Sequence, residues 1–439
     1  MKKLISTLAA ACIAFTLTGC NNTTPLTEDY LNTNRGSSAY HPIMKTENGY
    51  YYNAVQFGDM ALRYHDNATG HDIYLCAKPE CTHNGDKFCT ATSEGFHVLY
   101  TQLYDNNIYI TATESDGKRV YLKLLKASLD GTNLTEVCTI VQTRGSEKGI
   151  SLIHGDPCTM ILHRGYAFIP YYLASHDTEI FGKAGLASVN LSDGSVQYLP
   201  EYEQSETKGY MDVTPYGDYI YYTMKTSYEL HRYHFKTGKE EILPLRENLK
   251  ETYGNGFSKN LGKLTNYTVI DNKVWYVCGA SVVKPSVFIY DPDANTTTLV
   301  EAFEDKLLTT TEEYDENGEL YSITTDYYFS PKPMYDGTYL YLAERGFYSS
   351  EFYDHDMKVH IFTLEGERLG GFVFERKGPC QMNISGEMTI LQTTPCQINI
   401  VDETFYIQTV EGTVYCSVAD VIAGNIEWKQ LYQFGKGES

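Results

Sequence analysis

Apolar and aromatic residues alternate with polar ones along most of this 439-residue chain, in short runs closed by Asp, Asn and Gly. One unit of the pattern recurs. In Tyr104-Asp105-Asn106-Asn107-Ile108-Tyr109-Ile110 a polar turn precedes an aromatic, alternating strand; Tyr121 to Leu125 follows, then the turn Asp130-Gly131. Tyr216-Gly217-Asp218-Tyr219-Ile220-Tyr221-Tyr222 leads in the same way to Leu230–Phe235 and Thr237-Gly238. Ile270 to Tyr276 leads to Val287–Tyr290, and Tyr335 to Tyr341 leads to Val359–Leu364. Weaker copies begin at Asn48-Gly49-Tyr50, Arg164-Gly165-Tyr166 and Asp402-Glu403-Thr404. Period-two alternation with turn signals at short intervals predicts antiparallel strands.

Seven such units, each too small to bury its own face, predict a repeat architecture. Four strands per unit suit a propeller blade. The expectation is an all-β fold: a β-propeller of about seven four-stranded blades over residues 39–435. A pair of sandwiches or a β-solenoid would also use strands, but neither needs the recurring turn–aromatic–turn unit. About 60 residues per unit exceeds a lean blade, so loops must hold the surplus. Residues 304–329 read as one insertion, a hairpin around Asp315-Glu316-Asn317-Gly318.

The first residues have another pattern. Lys2 and Lys3 precede an apolar run from Leu4 to Leu17, as in a secretory signal. A membrane span needs about 20 apolar residues, more than this run has, and a soluble exported protein would favour a cleavage site ending in Ala. Leu17-Thr18-Gly19-Cys20 resembles the lipobox of bacterial lipoproteins. The resemblance implies that residues 1–19 are removed and that Cys20 becomes a lipidated N-terminus. The protein would then sit on the cell membrane, lipid-anchored, facing the extracytoplasmic side. Residues 21–38 are rich in Asn, Thr and Ser and read as a flexible tether.

Net charge narrows the partners. The chain carries −21; loss of residues 1–19 removes Lys2 and Lys3 and no acid, leaving −23. Such a surface repels nucleic acid, which is excluded as a partner. Solubility explains the charge better than cation capture. The 39 tyrosines fall mostly inside the strand pattern, where a ring packs while its hydroxyl stays wet.

Cys76, Cys81, His83 and Cys89 lie within fourteen residues. Three thiols and an imidazole form a common zinc set. The spacing is not a CxxC knuckle, so a Cys76–Cys81 or Cys81–Cys89 disulfide stands beside the metal reading, as do inert thiols. The segment resembles a Cys-Lys-Pro-x-Cys-x-His stretch of exported bacterial propeller lipoproteins, with no role attached. A Cys380–Cys396 bridge is conceivable at an inter-blade crossing; Cys138, Cys278 and Cys416 read as small buried strand residues.

Leu129-Asp130-Gly131-Thr132-Asn133-Leu134-Thr135-Glu136-Val137 resembles the repeat of TolB-like and WD40-like propellers, and repeats of a bacterial propeller family of unknown function. Elsewhere it shortens to Asp193-Gly194-Ser195 and Thr237-Gly238-Lys239. The resemblance implies a toroidal binding scaffold and brings no active-site motif. The sequence holds no HExxH, GxSxG or P-loop, so no catalytic residue is named. Asp291-Pro292-Asp293-Ala294-Asn295 starts like a calcium loop but lacks its glycine and final glutamate, and reads as a turn. The leading expectation is a scaffold for an extracellular protein, peptide or glycan. The alternatives are a carbohydrate- or peptide-active enzyme with an axial site, and a metal-binding lipoprotein. The axis discriminates: convergent acids, His and Arg with room for substrate favour an enzyme, and a filled axis favours binding.

Overall fold

The computed structural model describes residues 29–31, 34–36 and 43–433, the latter except 57–58, 77–79, 83–88, 92–96, 145–146, 153–159, 176–181, 200–201, 204–209, 225–228, 254–266, 281–282, 303–307, 315–319, 328–331, 344–356, 375–394 and 410–411. The signal segment, Cys20, and residues 21–28 of the expected tether lie outside the described residues.

A short strand, β1 (Asn34–Gly36), comes first. Blade 1 follows with β2 (Met44–Lys45), β3 (Gly49–Gln56), β4 (Asp59–Asp66) and β5 (Asp72–Tyr74). Blade 2 is β6 (His97–Tyr104), β7 (Asn107–Ser115), β8 (Val120–Ser128) and β9 (Thr135–Gln142). Blade 3 holds β10 (Glu147–Leu152), β11 (Ile161–His163), β12 (Tyr166–Ser175), β13 (Lys183–Asn190), β14 (Val196–Tyr198) and β15 (Tyr202–Glu203). Blade 4 is β16 (Tyr210–Tyr216), β17 (Tyr219–Met224), β18 (Leu230–His234) and β19 (Lys239–Leu243), followed by helix α1 (Leu245–Tyr253). Blade 5 is β20 (Tyr267–Ile270), β21 (Lys273–Ala280), β22 (Val283–Asp291) and β23 (Thr296–Ala302). A separate antiparallel pair, β24 (Leu308–Tyr314) and β25 (Leu320–Tyr327), stands between blades 5 and 6. Blade 6 is β26 (Lys332–Tyr335), β27 (Leu340–Ala343), β28 (Met357–Phe362) and β29 (Arg368–Phe374). Blade 7 is β30 (Pro395–Val401), β31 (Thr404–Thr409), β32 (Gly412–Ser417) and β33 (Lys429–Gln433), with helix α2 (Val418–Ile422) after β32.

Within six of the blades successive strands pair antiparallel; in blade 3, β10 and β11 both pair with β12, and β14 and β15 both with β13. The seven sheets form a propeller, as the repeat predicts. First strands touch around the ring: β11 meets β16, β16 meets β20, and β20 meets β26. They therefore line the axis. Connections between first and second strands share one end of the disc with those between third and fourth. We call that end the turn face, because its connections are tight. The opposite end carries the connections between second and third strands and those from blade to blade.

The recurring motif accounts for the turn face. Asp105-Asn106, Asp271-Asn272 and Asp402-Glu403 hold both central residues at positive φ, as do Arg164 (+46°) and Gly165 (+79°). Two-residue turns of that hand match the twist of the strands they join. Asp130-Gly131 and Asp193-Gly194 close third to fourth strands. There Asp130 Oδ1 accepts from the Thr132 N–H at 3.0 Å, and Asp193 Oδ1 from the Ser195 N–H at 2.8 Å, while Gly131 and Gly194 take the left-handed positions (φ +75° and +71°).

Faces of neighbouring blades bury the apolar half of each strand. Tyr109, Leu122, Leu124, Phe168, Tyr171 and Tyr222 belong to one cluster running through blades 2 to 4. Full burial of side chains this size contributes about 1.5–3 kcal/mol each. The tyrosines depart from the expected pattern: many bury their hydroxyls too. Tyr221 Oη donates to Asn272 Oδ1 at 2.9 Å, and Tyr51 Oη to the Leu129 carbonyl at 2.7 Å. Both partners belong to the next blade, so these hydroxyls fasten blade to blade.

Residues read as tether are also part of the fold. β1 pairs antiparallel with β30, with Asn34 opposite Asn399 and Gly36 opposite Gln397. It adds a fifth strand on the axial side of blade 7 and touches β26. Asp29–Leu31 and Asn34–Gly36, which the composition reads as tether, thus contact the propeller. Among the described residues no helix is long and apolar enough to cross a membrane.

Candidate functional site

The connection from the outer strand of blade 1 to the first strand of blade 2 carries the cysteine cluster. Its ends are fixed by the fold. The Leu75 N–H donates to the Leu62 carbonyl at 3.0 Å, and the Leu62 N–H to the Ala91 carbonyl at 2.8 Å. Thr90 Oγ1 donates to the Gly131 carbonyl at 2.8 Å, which pins the connection to the 129–131 turn of blade 2. Thus Cys76 and Cys89 leave and re-enter the fold side by side. The sulfurs of Cys76, Cys81 and Cys89 lie within 4.8 Å of one another. Cys89 is buried; Cys76 and Cys81 are half-buried. All three stand as thiols. His83 lies outside the described residues.

The donor set fits a zinc ion. A tetrahedron with Zn–S near 2.3 Å places sulfurs about 3.8 Å apart, so the cluster needs to contract by about 1 Å at most. A disulfide joins two sulfurs at about 2.05 Å and would strand the third beside it. Three sulfurs this close could hold a metal ion. A bound ion would tie blade 1 to blade 2.

The other cysteines lie apart from this cluster. Cys138 is half-buried in β9, where burial pushes its thiol up to about 11; Cys416 is buried in β32. Cys158, Cys380 and the side chains of Cys278 and Cys396 lie outside the described residues, so the suggested Cys380–Cys396 bridge does too. His231 hydrogen-bonds Glu240 at 2.9 Å, and His360 accepts from Arg368 at 2.7 Å. Both histidines are half-buried.

Sequence reading missed a second constellation, at the axial mouth on the turn face. His163 ends β11 and is 1 % exposed. Its Nδ1 accepts the Tyr30 N–H at 3.0 Å, so Nε2 carries the proton and donates to the Gly217 carbonyl at 2.7 Å. Burial holds its pKa below the ordinary imidazole value. Arg164 grips Asp29 through Nε and, at 3.1 Å, through Nη2; Nη1 lies 3.5 Å from Asp218. The Arg164 hydrogen bond holds the Asp29 carboxyl below its usual range. One signal was available: Arg stands first in Arg164-Gly165, where Asp105-Asn106, Asp271-Asn272 and Asp402-Glu403 carry Asp. The turn-face mouth of the axis thus holds part of the chain's own N-terminal segment.

The Asp291 turn is a turn. Asp291 Oδ1 accepts the N–H groups of Asp293 and Ala294, both at 3.0 Å. It borders a cavity of about 320 Å³ that Asp271 and Asp293 also line; Asp293 is already bonded to Asn272 at 2.9 Å.

No family model matches the sequence, and no curated protein matches it. Solved structures do. A structure described in work on two prolyl endopeptidases is 9% identical with a TM-score of 0.49; the match covers 91% of this chain and 50% of that one. This chain therefore spans half the length of that neighbour. Oligogalacturonate lyase from Vibrio parahaemolyticus is 8% identical, with TM-score 0.47 and coverage of 89% and 92%. TolB from Acinetobacter baumannii is 12% identical, with TM-score 0.35 and coverage of 82% and 67%. At these identities the likeness is one of fold.

Proposed function

We propose that this chain is an exported lipoprotein whose propeller is a binding scaffold for an extracellular protein, peptide or glycan. Cys20 carries the lipid anchor, and Cys76, Cys81 and Cys89 hold a structural zinc ion. One observation carries the scaffold reading: Asp29–Leu31 and Asn34–Gly36 sit at the turn-face mouth of the axis, across the path of anything entering from that end. The basic and imidazole groups there, Arg164 and His163, are engaged by the chain itself. The convergent sulfurs support the metal reading. When bound, zinc would act by holding three thiolates, and so two blades, in one place.

The scaffold is tested with purified protein against defined peptide and glycan arrays and against envelope proteins. Saturable binding, reproduced with each purified hit and without turnover, supports it; conversion of an arrayed glycan or peptide to product replaces it with the enzyme. The zinc site is tested by metal analysis of protein purified without chelator. One zinc per chain, lost in Cys89→Ser, is expected. A Cys76–Cys81 disulfide without metal would overturn it.

A further inference from the structure

The N-terminal segment crosses the turn face from one side of the ring to the other. Asp29 is held by Arg164 in the first turn of blade 3, and Tyr30 by His163, which leans on Gly217 of blade 4. The Tyr30 ring packs against the cluster of blades 2 to 4. Leu31 Cδ1 lies 3.7 Å from where Gly337 of blade 6 would carry a Cβ. Asn34–Gly36 then enters the axis along β30 of blade 7. Because β30 runs from the long-connection end to its turn at Asp402, antiparallel β1 enters at the turn face and points inward.

We infer that this segment is a mooring, a built-in peptide ligand that fixes which face of the propeller meets the membrane: the turn face lies toward the bilayer and the long-connection face points outward. The inference rests on the lipid anchor at Cys20. Nine residues lead from Cys20 to Asp29, and nine residues of chain span about 30 Å at most. For the opposite face to lie on the bilayer, those residues would first cover about 20 Å from axis to rim, four to five strands at about 4.8 Å each. They would then descend about 30 Å, the length of a nine-residue strand such as β8. The path exceeds the reach. With the turn face down, Asp29 already faces the bilayer, and the same length reaches it directly.

Arg164 supports a dedicated role. Its φ of +46° is left-handed, a conformation unfavourable for a side chain without Asn- or Asp-type local bonding. The turn keeps a guanidinium where Asn, Asp or Gly would be easier, and that guanidinium holds Asp29.

The test uses the full, acylated chain in vesicles with an acceptor dye on the outer headgroups. A fluorophore is introduced as a non-natural residue at Asn133, on the turn face of blade 2, or at Lys118, in its opposite turn. Acylation of Cys20 by mass spectrometry and flotation with vesicles are measured first. Stronger energy transfer from position 133 than from 118 is expected, with the difference reduced in Arg164→Ala. Equal transfer from both sites, or stronger transfer from 118, in an acylated and floating chain overturns the orientation and leaves the anchor standing. A chain that is neither acylated nor floating removes the anchor and the orientation with it.

Discussion

The phenol oxygens of Tyr50 and Tyr406 lie 3.0 Å apart across the seam between blades 1 and 7. Every strand of blade 7 except β1 comes from the C-terminal end of the chain. Among the described residues the N-terminal chain joins that blade only through β1, on its axial side, so farther out along the seam side chains link blades 1 and 7. Beside the tyrosine pair, Lys45 Nζ meets Asp402 Oδ2 at 2.7 Å. Asp402 is 70% exposed, and exposed pairs contribute about 0–1 kcal/mol. Tyr406 is buried and packs its ring at 5.6 Å from that of Tyr50.

Tyr406→Phe keeps the ring and removes the hydrogen bond, so about 0.5–1.5 kcal/mol of stability should be lost. Lys45→Ala should cost less. Urea midpoints of the two variants decide the matter. A larger loss in Lys45→Ala would mean that the ion pair, rather than the phenols, closes the ring.

Glycines in the third-to-fourth strand turns differ in their surroundings. Gly70 has φ +69° with nothing within 4 Å of a built Cβ. Gly194 has φ +71°, and its Cβ would meet the Val137 carbonyl oxygen at 2.5 Å. Gly70→Ala should therefore cost only the left-handed penalty, about 1–2 kcal/mol. Gly194→Ala should cost distinctly more, because a backbone carbonyl at a blade junction must move. Denaturant titration of both measures this; equal losses would show that the junction yields freely.

The proposed metal site predicts a local response. Chelation of zinc should lower the urea midpoint and open the connection at residues 75–96 to protease before the rest of the ring. An ion bound at a free concentration 1,000-fold above its Kd adds about 4 kcal/mol. Cys138→Ser should retain zinc, since that residue sits in β9 away from the cluster. Cleavage spread evenly over all blades after chelation would show that the ion does not staple this junction.

Local features were legible in the sequence, and distant pairings were not. Asp105-Asn106 and Asp130-Gly131 announce their turns because the residues themselves favour left-handed backbone and Asx bonding. The cysteines could be grouped because they are close in the chain. β1 escaped notice because Asn34-Arg35-Gly36 has no apolar alternation; its strand form comes from β30, more than 350 residues away. Arg164 and Asp29 are 135 residues apart, and no spacing rule joins them. The tyrosine hydroxyls were expected in water because their acceptors, such as Asn272 for Tyr221, belong to other blades.

Acid should weaken the fold before its carboxylates titrate. His360 in β28 accepts from Arg368 Nη2 at 2.7 Å, and burial, with Arg368 and Lys358 nearby, pushes its pKa down from 6.5 to about 4. Between those values the unfolded chain binds a proton there and the folded chain does not. Stability from this site is therefore complete above about pH 6.5 and declines as pH falls toward 4. Buried His163 at the axial mouth, also depressed, acts in the same direction. Asp218, lowered mainly by its hydrogen bond from Lys236, loses its contribution only as pH falls below the ordinary value of 3.8. His360→Gln keeps a polar group and cannot take up the proton. Its urea midpoint should fall less than that of the parent chain between pH 7.5 and 4.5. An unchanged pH slope would place the proton uptake elsewhere, and the same titration on His163→Gln would then show whether the axial mouth supplies it.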